Sequence, residues 1–458
     1  MTARHISLRA ELRDTLKLAG PIVLSQVGNM SMGLVDTLVA GRISTTALAG
    51  LGLAANVFWT FTSVGIGCLL ALDTFFAQSV GARDERGLAR YFAQSFWLCG
   101  FVTVAVAVLT LGGAGLYLRL TTPDATKAAF GSYVFTVAWS LPGIFLFFLL
   151  QRYWQARHHV LSFALIIVGA NVLHLAGNLA LGLGWWGCPR LEVKGLAWST
   201  VISRSLMLLA AAVYTWRRFN RTAPRFERFD GTTQRQFLKL GLPAAGHVAL
   251  EVGAFGLATL LVAVLGAVPL AAHHVCLMMA AFTFMFPLGL SSAAAVRVGR
   301  FIGAGEPAHA RTAGWICIGL SIGVMACFAI GYLLMPRLLL GWFTHDPAVI
   351  EAGLGILFLV ALFQIADGVQ VSTTGALRGL GNTRAAFVAN LIGHYPIGLA
   401  LGIVLCFVMQ RGVTGMWVGL ASGLASVGII LLCVWRHRTR DLTQLRSVTL
   451  AEAARSGN

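Results

Sequence analysis

Charge is what this sequence has least of. Only 11% of its 458 residues are Asp, Glu, Lys or Arg, where a soluble domain carries about 25%. So few charges cannot cover a water-facing surface, which excludes an ordinary soluble fold. Acidic residues are the scarcer sign, 17 against 34 Lys plus Arg, leaving a net charge of +17. No P-loop Lys-Ser/Thr follows GLGLA or GLGWWG, and both lie in apolar segments, so a nucleotide is not the energy source. No HExxH and no convergent nucleophile–base set is present, which argues against an intramembrane enzyme. The eight cysteines have no metal-ligand spacing and read as small buried apolar residues, Cys68, Cys276 and Cys406 among them. The opening stretch MTARHISLRAELRDTLK reads as an amphipathic basic lead-in without a signal-peptide h-region.

What is abundant is apolar sequence. The chain is 57% hydrophobic with a mean hydropathy of +0.78, and runs of about 20 apolar residues, each long enough to cross a bilayer, recur from end to end. The class is an all-α polytopic membrane protein. Twelve spans are predicted, at 16–39, 50–78, 91–117, 130–150, 160–184, 194–216, 238–263, 270–297, 312–336, 348–376, 385–408 and 413–435. The basic residues cluster between the spans, which speaks for membrane topology rather than nucleic acid. With both termini assigned to one side, 26 Lys and Arg fall there and 7 on the other. The positive-inside rule then makes the termini cytoplasmic. The longest and most basic connection, WRRFNRTAPRFERFDGTTQRQ, divides the chain. An N-lobe at 1–216, a linker at 217–237, a C-lobe at 238–435 and a cytoplasmic tail at 436–458 are expected.

The two halves resemble one another. LAGP at 18–21 precedes LGLP at 240–243 by 222 residues, and GAR at 81–83 precedes GAG at 303–305 by the same offset. Six spans per half means parallel repeats: two six-helix bundles related by a pseudo-twofold along the membrane normal. Such a pair usually encloses a central cavity and suits alternating access.

With the tails, the connections and the residues near span ends set aside, four acidic residues lie within spans: Asp36, Asp73, Glu251 and Asp367. An ionisable group there costs about 2.5–3.5 kcal/mol on insertion scales and is a functional candidate by default. Helical rise gives depth. Glu251 lies 12 residues past Lys239 and Asp367 lies 11 before Arg378, placing both about 16–18 Å above the inner surface. Asp36 lies 19 residues past Lys17, and Asn178 lies 19 past His159, so these two share a level at about 28 Å. Carboxylates facing a cavity bind Na⁺, H⁺ or organic cations. The plainer alternative is pairing with a neighbour, and Arg204 in span six is a possible partner for the first half. Asp73, ten residues before Arg83, reads better as a cap or a solvated group at the inner end. His273 and His274, near the outer start of span eight, read as packing or interface residues rather than a metal site, and the lone His247 and His394 as hydrogen-bonded packing. Pro396 is expected to kink span eleven.

Several stretches resemble the multidrug and toxin extrusion (MATE) family, in its NorM-type branch. They are GPIVLSQVGNMSMGLVDTLVAGRI, ALDTFFAQSVGA, LGLPAAGHVALEVGAFGLATLLV, AAAVRVGRFIGAGE and, most specific, FQIADGVQVSTTGALRGLGNT. The resemblance implies a two-lobed, twelve-helix antiporter that exchanges Na⁺ or H⁺ for cytoplasmic organic cations, with no further cofactor. It implies cation-coupling roles for Asp36 and Asn178 in the N-lobe and for Glu251 and Asp367 in the C-lobe. Na⁺ binding is possible at the latter pair, Asp36, Glu251 and Asp367 would line the substrate cavity, and span one would bend at Pro21. Where some NorM-type members carry Tyr, four residues before Asp367, this chain has Phe363, and an aromatic hydroxyl is lost. The expected setting is the inner (plasma) membrane. The expected partners are small organic cations and lipids, not nucleic acid, and the protein is expected to be a monomer. A lipid or lipid-linked oligosaccharide flippase of related fold is the alternative, but it would need a basic cavity.

Overall fold

A computed structural model describes residues 8–120, 124–219, 227–445 and 447. Among them there is no strand. Twelve helices are long and apolar enough to cross a membrane: Arg9–Ile43, Thr45–Gly81, Glu85–Arg119, Ala125–Ala156, Val160–Gly182, Glu192–Phe219, Gly231–Ala263, Ala267–Gly303, Pro307–Leu334, Pro347–Gly379, Arg384–Val408 and Gly412–Arg438. They are numbered here as spans one to twelve, and they make this a multi-pass membrane protein. Most are longer than the apolar windows in the sequence. Span two, expected at 50–78, begins at Thr45 because Ser44 caps it, accepting a hydrogen bond from Ala47 N at 3.0 Å. Hydropathy reads only the lipid-facing part of such a helix. Of the expected basic linker, residues 220–226 lie outside the described residues, as does most of the tail beyond Leu445.

The internal repeat is written in the helix boundaries. Spans one to four begin at Arg9, Thr45, Glu85 and Ala125, and spans seven to ten at Gly231, Ala267, Pro307 and Pro347. Each pair is 222 residues apart. Spans two and eight also end that far apart, at Gly81 and Gly303. Pro21 and Pro243 sit at equivalent places inside their helices. A proline there leaves the carbonyl one turn back without its helical donor.

The chain forms two compact units. An amino-side unit comprises Leu24–Leu72 and Glu85–Ala245. A carboxyl-side unit runs from Gly246 onward and adds the segment up to Val23 and Asp73–Asp84.

Span ten shows how sequence sets burial in the carboxyl-side unit. Its buried residues include Gly353, Ile356, Leu357, Val360, Ala361, Gln364, Asp367, Gly368 and Val371, the three-and-four spacing of one helix face. Between them Phe358 and Leu362 are exposed, as lipid-facing residues are. The inward face carries glycines because the neighbouring helix comes close. A Cβ at Gly375 would run into Ser291, and one at Gly379 would meet Ala295 O at 2.8 Å. With no hydrophobic force between helices in lipid, close approach over small residues supplies the packing. The helix starts at Pro347 behind the Asp346 cap. It ends through Gly381 at φ +78°, where Gly381 N and Asn382 N close back on Arg378 O and Leu377 O.

Two spans depart from α-helical winding. Span five passes into a π-helical turn at Asn178–Gly182. Span eleven does so at Gly393–Leu399, which contains Pro396, and again at Val404–Val408. The chain therefore accommodates Pro396 by widening the helix rather than breaking it.

Candidate functional site

Both oxygens of Asp36, in the amino-side unit, are occupied. Oδ1 accepts from Asn178 Nδ2 at 2.7 Å and lies 2.9 Å from His174 Nε2. Oδ2 accepts from Tyr133 Oη at 2.9 Å and Thr200 Oγ1 at 3.2 Å. All these side chains are buried. The donors come from span four (Tyr133), span five (Asn178, with His174 one helical turn before it) and span six (Thr200). A buried carboxylate is tolerated when its lone pairs are met in this way. The equal height of Asp36 and Asn178 is legible from the sequence, and the two are in contact. Arg204 is not the carboxylate's direct partner. Its guanidinium donates to Ser140 Oγ at 2.8 Å and lies over the Phe58 and Trp59 rings, although its charge still reaches Asp36. Pro21 lies within an uninterrupted helix.

The carboxyl-side unit is arranged differently. Span seven presents Glu251 and span ten presents Asp367, each within the other's Coulomb field. Gln370, one turn beyond Asp367, is hydrogen-bonded to Glu251. No described side chain donates a hydrogen bond to Asp367. His247, one turn before Glu251, has Nε2 3.8 Å from its Oε2. One turn on the other side, Phe255 packs edge-to-face on Phe363, with ring centroids 6.0 Å apart, and Phe363 does the same on Trp417. These rings wall one end of the carboxylate level. Gln364, one turn before Asp367, donates to Thr283 Oγ1 at 2.5 Å. The Gln364 and Gln370 Oε1 atoms are buried without a partner, leaving acceptors but few donors around two acids.

Other expectations divide. Asp73 is neither a cap nor a solvated group. It is almost fully buried, with Oδ2 3.1 Å from Arg378 Nε, although that N–H is not aimed at it for a hydrogen bond. Beside it, Thr74 and Gln78 donate to the carbonyls of Arg378 and Gly379. Its distance of ten residues from Arg83 along the chain points to the inner end, but the fold brings a different arginine to Asp73. His273 is packing: Nδ1 accepts from Trp417 Nε1 at 3.0 Å and Nε2 lies 2.9 Å from Thr259 Oγ1. His394 departs from the expected hydrogen-bonded packing, since both of its ring nitrogens are buried without a partner. His174, Tyr133, Thr200 and Gln370 escaped sequence reasoning. His174 and Gln370 had a usable signal, lying four residues before Asn178 and three after Asp367. Tyr133 and Thr200 had none, because only the fold brings their helices to Asp36. An open surface depression on the amino-side unit, lined by Leu165, Ile166, Tyr214, Arg217 and Arg218 among others, contains none of these carboxylates.

Comparison with known proteins points one way. The family described as MatE matches residues 21–179 and 243–404. The chain is 37% identical to a probable multidrug resistance protein NorM of Rhodopseudomonas palustris, over 96% of this chain and 94% of that one. It is 34% identical to the protein of the same name from Mesorhizobium japonicum, over 94% and 95%. Among solved structures, a mutant of the Vibrio cholerae MATE transporter VcmN superposes with a TM-score of 0.86 at 17% identity, covering 95% of this chain and 98% of that one. With a family match across both halves of the repeat and relatives of this identity along nearly the whole length, the chain belongs to the multidrug and toxin extrusion (MATE) family.

Proposed function

We propose that the protein is a multidrug efflux transporter that exchanges Na⁺ or H⁺ for organic cations by alternating access. In this reading it sits in the plasma membrane with both termini in the cytoplasm and works without a further cofactor. The names of the relatives support export of drugs. The observation that carries cation coupling is the Glu251–Asp367 pair: a buried acid and a half-buried one in one another's field, with Gln370 the hydrogen-bonding neighbour of Glu251 and no donor for Asp367 among the described residues. Ionised together they repel and lack solvation, so a small cation or an organic cation between them relieves the cost. A site that either cation can neutralise, but not both at once, links release of one to loading of the other. Glu251, Asp367 and Asp36 are the substrate-facing acids in this scheme, and Asn178 supports Asp36.

A flippase for anionic lipid-linked cargo would need free buried cations. The buried arginines argue against it. Arg297 is paired with Glu11, Arg378 lies beside Asp73, Arg204 is engaged with Ser140 and two aromatic rings, and Arg152 donates to Gln155 Oε1 and lies over the Phe148 ring. The test is efflux of a cationic dye from proteoliposomes with Na⁺ and pH gradients imposed separately. Export driven by either gradient is expected. Dye export that ignores both would sink the coupling.

A further inference from the structure

The surface depression on the amino-side unit changes polarity along its length. Spans five and six pack together and run in opposite directions, so the start of one and the end of the other share a level. Arg217 and Arg218, at the end of span six, line the groove at that level, and Leu165, Ile166, Ala210 and Val213 line it further in. From Arg218 back to Ala210 is eight residues, about 12 Å of helix. The groove's volume of about 620 Å³ lies within the usual range of ligand clefts, about 300–1,000 Å³. Trp216, the most exposed large apolar side chain among the described residues, stands between Tyr214 and the arginines in sequence. A tryptophan at the end of a span marks the boundary between acyl chains and headgroups. The apolar floor therefore lies in hydrocarbon and the two arginines lie among headgroups.

The charge at this end is uncompensated. No acidic residue lines the groove among the described residues. Arg217 and Arg218 are exposed and form no ion pair among the described residues. Arg157, by contrast, is paired with Glu85. Arg218 lies over the Tyr214 ring, 5.7 Å from its centroid. That ring is held edge-to-face by Trp154 and Phe163, which makes a firm wall behind the cation. His159, in the connection before span five, feels the same field: partial burial first, then Arg218 and Arg157, hold its imidazole below the usual value. We propose that this groove is a specific site for an anionic phospholipid, with its phosphate on Arg217 and Arg218 and an acyl chain along Leu165, Ile166 and Val213. A water-soluble anion would use the arginines and leave the apolar floor bare. A zwitterionic lipid would cover the floor but bring its own cation up to two arginines. A lipid of net negative headgroup meets both ends. The guanidinium fork matches phosphate oxygens with parallel N–H donors, and basic pockets between spans at the membrane surface suit such headgroups.

The test is native mass spectrometry of the purified full-length protein, titrated in detergent with phosphatidylglycerol, with phosphatidylcholine of the same chains, and with glycerol phosphate. The first phosphatidylglycerol is expected to bind at a concentration at least tenfold lower than the first phosphatidylcholine, and glycerol phosphate is not expected to be retained. Arg217→Gln with Arg218→Gln removes the charge. Val213→Trp fills the floor and leaves the charge in place. Each should raise the phosphatidylglycerol concentration for half-occupancy at least tenfold. Arg436→Gln with Arg438→Gln, which removes two arginines from the end of span twelve, should not. All five positions are exposed, so the variants are expected to fold. Equal retention of the two lipids overturns the proposal. So does an equal loss in the span-twelve variant, which would reduce the effect to net charge. Retention of glycerol phosphate as tight as that of the lipid, or a Val213→Trp that binds like the wild type, would make this a site for soluble anions and overturn the assignment to a lipid.

Discussion

Gln370 of span ten is hydrogen-bonded to Glu251 of span seven. The residue one turn before Gln370 is Asp367, so a single helix face supplies both the neighbour that solvates Glu251 and the acid that repels it. If the two acids share one exchangeable cation, neutralising either removes the exchange. Glu251→Gln and Asp367→Asn are each expected to lower ion-driven dye efflux from vesicles by tenfold or more. The double variant should be little worse than either single, because residues acting as one unit are not additive. All three should reach the membrane folded, since the changes remove charge from an apolar interior. Normal efflux by the single variants, or losses that simply add, would separate the two acids.

Asp73 and Arg378 make the opposite prediction. Their ion pair is buried at both ends, and removing one partner leaves the other uncompensated, at a cost of about 3–5 kcal/mol. Asp73→Ala and Arg378→Ala should each lower thermal stability in detergent strongly. Asp73→Asn combined with Arg378→Gln should recover much of the loss, because the residual groups are neutral. Efflux per folded molecule should change less than stability does. A double variant as unstable as the worse single would mean that the pair is not the source of the stability.

What the sequence revealed, and what it hid, follows from the repeat. The 222-residue offset is visible in LAGP and LGLP, and the helix starts of four span pairs obey it. Apolar length and the repeated prolines and glycines are local properties, so the scaffold could be read. The acids do not obey the offset. Residues 222 away from Glu251, Asp367 and Asp36 are Asn29, Phe145 and Ala258, so each unit built its own site on a shared frame. Helical rise gave their depth, and hence the Asp36–Asn178 contact and the proximity of Glu251 to Asp367. It could not give azimuth between helices. Arg204 therefore looked like a partner for Asp36, although it turns to Ser140 and two rings. For the same reason Tyr133 and Thr200 gave no sign of reaching the carboxylate.

Asp230 marks the start of span seven and provides a pH test away from the membrane interior. It accepts from Thr232 N, Thr233 N and Thr233 Oγ1, and pairs with Arg90 at 2.5 Å. Partial burial works against its ionised form. The Thr233 and Arg90 hydrogen bonds outweigh it and hold the carboxyl down at about 2. A lowered carboxyl stabilises the fold above its unfolded value, near about 3.9, and loses that contribution as pH falls toward the folded value. Asp230→Ala should cost about 1 kcal/mol, the usual worth of a helix cap. The gap in melting temperature from the wild type should be constant above about pH 5 and close as pH drops toward 2. A gap independent of pH would mean that the side chain acts by packing alone.

Asp36 should respond in grades to loss of its donors. Asp36→Asn replaces one carboxylate oxygen by an N–H₂ that must face either the Tyr133 and Thr200 hydroxyls or the Asn178 donor. The hydroxyls can rotate to accept; Asn178 Nδ2 cannot. The variant is therefore expected to settle with its amide nitrogen toward Tyr133 and Thr200 and to express normally. It should lose most ion-driven efflux, because the charge of the site is gone. Tyr133→Phe removes one neutral donor and leaves Thr200 on Oδ2, a net change of about 0.5–1.5 kcal/mol for one hydrogen bond. Its efflux should fall by several-fold rather than vanish. Asn178→Ala removes a 2.7 Å donor from Oδ1 but leaves His174, and should fall between the two. Cationic-drug resistance of cells expressing each variant, normalised to protein in the membrane, gives the ranking: Tyr133→Phe highest, then Asn178→Ala, then Asp36→Asn. Full resistance in Asp36→Asn would remove Asp36 from the coupling scheme, because its donors would then be shown to hold nothing that transport requires.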